Sequence, residues 1–118
     1  ALNTGFHRVV LEEILHATRW AKVGLIDDSI ASDEVAAGRP APYMIFRLME
    51  RLRIERVGMV TKVGDTLVDV QEGLSAGCGL VVGVTSGTCS KEEFESLDLL
   101  GAHVVPDVTH VPRLLGVF

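Results

Sequence analysis

The residues best equipped for chemistry lie in Lys62-Val63-Gly64-Asp65-Thr66-Leu67-Val68-Asp69, an apolar stretch that ends in two carboxylates around a Gly and a Thr. With Asp65 closing a strand and Asp69 in the first turn of the next helix, both acids can face one point in a crevice. Open α/β sheets hold their ligands at that end of their strands. Hard oxygen donors of this kind suit Mg²⁺, which keeps several waters and takes one or two protein carboxylates beside a substrate phosphate. Thr66 can cap the helix, whose first-turn amides favour an anion. The plainer alternative is a helix start whose acids answer the helix dipole. Lys62, just ahead of the pair, is read as pointing away from it.

Two upstream segments carry groups suited to a phosphate. Gly38-Arg39-Pro40-Ala41-Pro42 puts a permanently charged guanidinium, whose fork matches phosphate or carboxylate, in a turn stiffened by prolines. The alternative is a solvated surface charge. Thr4-Gly5-Phe6 offers a hydroxyl and free amides at a strand end, either for phosphate oxygens or as an ordinary helix cap. Ser86-Gly87-Thr88 could touch a ligand, although such a turn is commonplace. His7, His16, His103 and His110 show no metal-ligand spacing and are assigned no chemistry.

The elements that must position these groups follow from periodicity. Phe6, Val10, Ile14 and Ala17 recur at helical spacing, which predicts a helix over about Phe6 to Arg19. Val23 to Ile26 and Ser29 to Ser32 both suit a short strand, the second better placed before the acidic Asp33-Glu34. Pro40 and Pro42 mark a helix start, after which Ile45, Leu48, Met49 and Leu52 share one face. Val57 to Val63 reads as a strand, Leu67 to Ala76 as a helix closing at Gly77, and Leu80 to Val84 as an apolar strand. Ser90 and Glu93 form a capping box for a helix over about Lys91 to Leu100. Val104-Val105 is a last strand, and Val108 to Leu115 a final helix broken or restarted at Pro112. Alternating strands and helices imply a mainly parallel α/β sheet with right-handed crossovers.

Composition agrees with one domain. The chain has 118 residues, 47% of them hydrophobic, and a mean hydropathy of +0.33, which fits strands covered on both faces. A net charge of −5 and a pI near 5.3, with scattered basic residues, argue against nucleic acid as a partner. Cys78 and Cys89 indicate neither a zinc ribbon nor a disulfide framework and are read as reduced thiols, Cys78 as a small core residue. No apolar run nears the ~18 residues that span a bilayer and no segment resembles a signal peptide, so a cytoplasmic protein away from membranes is the default expectation. Ala1-Leu2-Asn3 reads as the end of a strand already under way, so the chain is expected to continue upstream.

The ordered set Thr4-Gly5-Phe6, Gly38-Arg39-Pro40-Ala41-Pro42 and Gly64-Asp65-Thr66 with Asp69 resembles motifs two, three and four of the haloacid dehalogenase superfamily. The stretch from Ser32 to Met44, with Lys62-Val63-Gly64-Asp65-Thr66 and Glu72-Gly73-Leu74-Ser75-Ala76-Gly77, is similar to its phosphonatase-like branch in particular. The resemblance covers nearly the whole chain. It implies a three-layer Rossmann-like core and Mg²⁺-dependent hydrolysis of a small phosphorylated or phosphonate substrate through an aspartyl-phosphate, a chemistry of positioning and electrostatics. By motif, Thr4 would hydrogen-bond the phosphoryl group, with Gly5 beside it. Arg39 would balance its charge, Asp65 would bind Mg²⁺, and Asp69 would be a second acid holding the metal site or Arg39. Thr4, Arg39 and Asp69 are then the catalytic candidates, and Asp65 and Asp69 the metal candidates.

The first family motif, an Asp-x-Asp-type sequence that supplies the nucleophile, has no counterpart here, since Asp27-Asp28 and Asp33-Glu34 stand in the wrong place. The helical cap between motifs one and two is also missing. Residues 1–118 are therefore expected to be a partial core, the carboxyl-terminal part of a larger hydrolase without its central first strand. Its absence would leave two edges of unpaired amides and carbonyls. Two alternatives remain: a catalytically silent fragment with weak phosphate or Mg²⁺ affinity, and a non-enzymatic receiver-type module. In relatives that cleave phosphonoacetaldehyde, a cap lysine forms a Schiff base; neither Lys22 nor Lys62 matches it, so phosphonate and phosphate-ester cleavage stay equally open. Relatives often dimerise through the segment absent here, which leaves a homodimer open.

Overall fold

A computed structural model of the chain describes residues 1–96 and 101–117. Contacts divide it into two compact units, Ala1–Glu55 and Arg56–Phe118. Among the described residues no helix is long and apolar enough to cross a membrane.

The first unit runs β1 (Leu2–Thr4), α1 (Arg8–Thr18), β2 (Ser29–Ala31) and α2 (Tyr43–Leu52). β1 and β2 pair in parallel, Leu2 opposite Ser29 and Thr4 opposite Ala31. Helix α1 forms because Leu11 and Leu15, one turn apart, bury against Ala31 with Leu2 and Ile26 beside them. It stops at Arg19, which turns left-handed and donates its amide to the Leu15 carbonyl. Of the two strand candidates that follow, only the second is a strand. Gly24 takes a φ of 74°, and the Val23 and Leu25 amides turn back onto the Arg19 and Trp20 carbonyls, which no extended segment permits. Ile30 in β2 instead packs on Met44 and Leu48, the buried face of α2.

The second unit runs β3 (Thr61–Gly64), α3 (Leu67–Ala76), β4 (Leu80–Val84), α4 (Lys91–Ser96), β5 (Ala102–Val105) and α5 (Val111–Leu114). All three strands are parallel, in the order β3-β4-β5, with Gly64 opposite Gly83 and Gly83 opposite Val104. Successive residues of β4 face opposite sides. Val81 joins Val70, Phe94 and Cys89 in one cluster, while Val82 and Val84 join Val111 in another. The sheet is thus covered on both faces, which is why β4 reads as unbroken apolar residues. Complete burial of a side chain as large as Phe94 contributes roughly 1.5–3 kcal/mol.

Two expectations are corrected in this unit, the strand over Val57 to Val63 and the place of Cys78. The strand expected over Val57 to Val63 begins only at Thr61, because Val57–Met59 is a 3₁₀ turn that brings the Gly58 carbonyl against Gly79. The last segment is broken and restarts at Pro112 as expected: a 3₁₀ turn, Val108–His110, is followed by α5, with Pro112 in the first turn, where its missing N–H is not needed. Cys78 is half-buried at the margin of the first cluster rather than inside it, and burial pushes its thiol pKa up. Both cysteines are free thiols. The Ser90–Glu93 capping box is present, the Ser90 amide donating to Glu93 at 2.7 Å and the Glu93 amide to Ser90 at 3.2 Å. The rest of the helix expected to reach Leu100 falls at 97–100, outside the described residues.

Among the described residues β1 is laddered to β2 alone and β3 to β4 alone.

Candidate functional site

In the first unit the sequence candidates Thr4, Gly5 and Arg39 are gathered together. Thr4 ends β1, and its hydroxyl oxygen accepts the Phe6 amide at 3.1 Å, which leaves the hydroxyl proton to donate elsewhere. A Cβ built on Gly5 would stand 2.6 Å from an Arg39 terminal nitrogen, so the guanidinium lies against bare backbone that a larger residue would occupy. The turn is pinned from below: the Ser32 hydroxyl donates to the Gly5 carbonyl at 2.8 Å and the Phe6 carbonyl at 3.1 Å. Gly38 packs on Ser32, and the Arg39-Pro40 peptide that follows is cis.

A second group of charges supports this turn from the helix side. Arg8 donates from Nε and a terminal nitrogen to Glu34 at 3.0 and 2.6 Å, and from its other terminal nitrogen to the Ser29 hydroxyl at 3.0 Å. Glu34 also accepts the Ala31 amide at 2.7 Å. Burial opposes ionisation of Glu34, but the Ala31 amide and Arg8 outweigh it and hold the carboxyl below its ordinary value. The Arg8 amide, at the start of α1, donates to Asp33 at 2.9 Å.

In the second unit Asp65 and Asp69 have different surroundings. Asp69 is buried and folds back on its own helix start: the Thr66 hydroxyl donates to it at 2.7 Å and the Thr66 amide at 3.2 Å, while the Asp69 amide donates to the Thr66 hydroxyl oxygen at 3.3 Å. Lys62 does not point away from the acids. Its ammonium stands 3.2 Å from Asp69 and 2.8 Å from Glu72, with all three side chains buried. Burial explains the correction, because a lysine inside an apolar strand must find carboxylates or lose its charge. The legible signal was Asp69 and Glu72 one turn apart on the buried face of α3, opposite the lone cation of β3.

Asp65 is half-buried at the end of β3 and faces the turn after β4. Its Oδ2 accepts the Thr88 amide at 2.8 Å. That amide, then the Thr88 hydroxyl, hold its carboxyl pKa below the ordinary value against some desolvation and the nearby Asp69 charge. Asp65 is thus an ionised, solvent-reachable oxygen donor, the character a hard cation requires. Among the described residues no three His, Cys, Asp or Glu side chains gather for a metal, so an ion at Asp65 would complete its shell with water or substrate oxygens.

Comparison with known proteins gives the family. Residues 36–111 match the HAD-hydrolase-like family model. The chain is 41% identical over 97 residues to a phosphonoacetaldehyde hydrolase of Parabacteroides distasonis, covering 80% of this chain and 36% of that protein. It is 36% identical over 98 residues to a phosphonoacetaldehyde hydrolase of Bacteroides fragilis, covering 80% and 37%. The chain thus spans a little over a third of the length of these relatives. The fold superposes with a TM-score of 0.76 on the crystal structure of a phosphonoacetaldehyde hydrolase-like protein from Oleispira antarctica, at 24% identity, covering 97% of this chain and 48% of that one. With its family model matched over most of its length and its α/β fold shared, the chain belongs to the haloacid dehalogenase-like hydrolases, on their phosphonatase-like side.

Proposed function

We propose that this chain supplies the phosphate- and metal-handling half of a Mg²⁺-dependent hydrolase acting on a small phosphorylated or phosphonate substrate. The observation that carries the reading is the guanidinium of Arg39 laid against Gly5, the neighbour of Thr4, a cradle with a permanent charge and a hydroxyl donor in one place. Arg39 would neutralise phosphoryl oxygens in bidentate fashion, and Thr4 would donate to a third oxygen. Asp65 would bind the ion, with Asp69 keeping the start of α3 and Lys62 in register behind it. A bound Mg²⁺ would spread the negative charge of the transferring group. An aspartate outside the 118 residues would attack phosphorus as the P–O or P–C bond to the leaving group breaks, the leaving group taking up a proton, and water would then cleave the aspartyl-phosphate to inorganic phosphate and free aspartate.

The relatives named phosphonoacetaldehyde hydrolase make that aldehyde the first substrate to try, with phosphate monoesters beside it. The test uses the protein that carries this chain at the length of those relatives, with phosphate release followed with and without Mg²⁺. Metal-dependent release that is lost in Arg39→Ala and Asp65→Ala is the expected result. Full turnover by Asp65→Ala with divalent ions chelated would remove the proposal. The 118 residues alone are expected to bind inorganic phosphate weakly without turning over; robust turnover by them would show that the nucleophile lies within.

A further inference from the structure

The turn Ser86-Gly87-Thr88 has no part in the reading above, yet it grips Asp65 twice. The Thr88 amide donates to Asp65 Oδ2 at 2.8 Å, and the Cys89 amide donates to the Asp65 backbone carbonyl at 3.0 Å. Gly87 lies so close that a Cβ there would overlap the Asp65 carboxylate and its Cβ together. The turn is anchored at both ends. Val84 is buried in β4 on one side, and on the other Cys89 enters the cluster of Phe94 and Val70 just before Ser90 caps α4. Asp65 directly follows β3, the neighbour of β4, with Gly64 in register with Gly83. A segment held at both ends by the core therefore sets the direction of a single carboxylate.

We propose that the Gly87-Thr88 turn is a positioning element that aims the Asp65 carboxylate at a divalent cation and thereby sets the affinity for that ion. This rests on the metal reading of Asp65. The amide of Thr88 occupies Oδ2 and fixes the rotamer, so the carboxylate is already oriented when the ion arrives; outer partners of this kind change metal affinity by about 10- to 100-fold. Glycine is required at position 87 because the carboxylate fills the space of its missing side chain.

The test is Mn²⁺ affinity of the 118-residue chain, followed by paramagnetic broadening of amide resonances, with urea unfolding measured alongside. Gly87→Ala, whose Cβ takes the space of the carboxylate, and Thr88→Pro, which removes the amide that donates to Oδ2, are each expected to weaken Mn²⁺ by about 10- to 100-fold. Thr88→Ser, which keeps both the amide and a hydroxyl, is expected to match the parent, and Ser86→Ala to leave the affinity unchanged. Parent affinity in both Gly87→Ala and Thr88→Pro, with Asp65→Ala having lost the ion, would overturn the role of the turn and spare the site. Mn²⁺ that broadens nothing near Asp65 in the unaltered chain, or that binds Asp65→Ala equally well, would overturn the metal reading and the role of the turn with it. If Gly87→Ala fails to fold, Thr88→Pro against Thr88→Ser decides.

Discussion

The Lys62 ammonium stands 3.2 Å from Asp69 and 2.8 Å from Glu72, so a strand residue and two helix residues are joined by charge inside the second unit. The relationship holds the start of α3 against β3 at the point where Asp65 emerges. Gly73 permits it, since a Cβ there would stand 2.8 Å from the Lys62 Cβ.

Lys62→Met is therefore expected to destabilise the chain by about 3–5 kcal/mol, because it leaves Asp69 and Glu72 buried without the ammonium between them. Glu72→Gln should cost less, since Lys62 keeps Asp69. Urea unfolding midpoints of the two variants measure the difference. A Lys62→Met midpoint equal to that of the parent would show that the two carboxylates are satisfied without the ammonium.

The cap of α3 gives a smaller effect. Thr66→Ala removes the hydroxyl that both accepts from the Asp69 amide and donates to its carboxylate, and should cost about 1 kcal/mol. Thr66→Ser should recover most of it. Combining Thr66→Ala with Asp69→Asn should cost less than the sum of the two, as expected of contacting residues, and a thermal-melt cycle reads that coupling.

Glu34 predicts an acid-sensitive first unit. Its folded pKa lies below the ordinary 4.5, so its stabilising contribution is complete above that value and is lost as pH falls through the lower folded one. Glu34→Gln should cost about 1–3 kcal/mol at neutral pH and flatten the acid limb of the stability curve. Unfolding followed from about pH 3 to about pH 7 checks both, and an unchanged acid limb would exclude Glu34 as its source.

Two glycines that look alike in sequence should behave differently. A Cβ on Gly79 would overlap the Gly58 carbonyl, which is backbone and yields poorly, so Gly79→Ala should destabilise by about 1–3 kcal/mol. A Cβ on Gly58 meets nothing within 4 Å, and Gly58→Ala should stay within about 0.5 kcal/mol of the parent. Equal losses at both positions would place the cost in local backbone propensity instead of the contact.

What the chain declares on its own is local. The buried stripe Ile45 and Leu48 marked α2, the unbroken apolar run marked β4, and Ser90 with Glu93 marked the start of α4, because periodicity and capping act over one or two turns of chain. The order of the Thr4, Arg39 and Asp65 segments likewise pointed to the family before any coordinate was known. Tertiary structure decided which groups meet. The register of β3 on β4 and the docking of α3 put Lys62 on Asp69 and Glu72, and the turn after β4 put Thr88 on Asp65. The closeness of Gly58 to Gly79 shortened β3, and the return of the chain after β2 laid Arg39 on Gly5. Pairings between distant residues depend on strand register and helix docking, which no local pattern of side chains encodes.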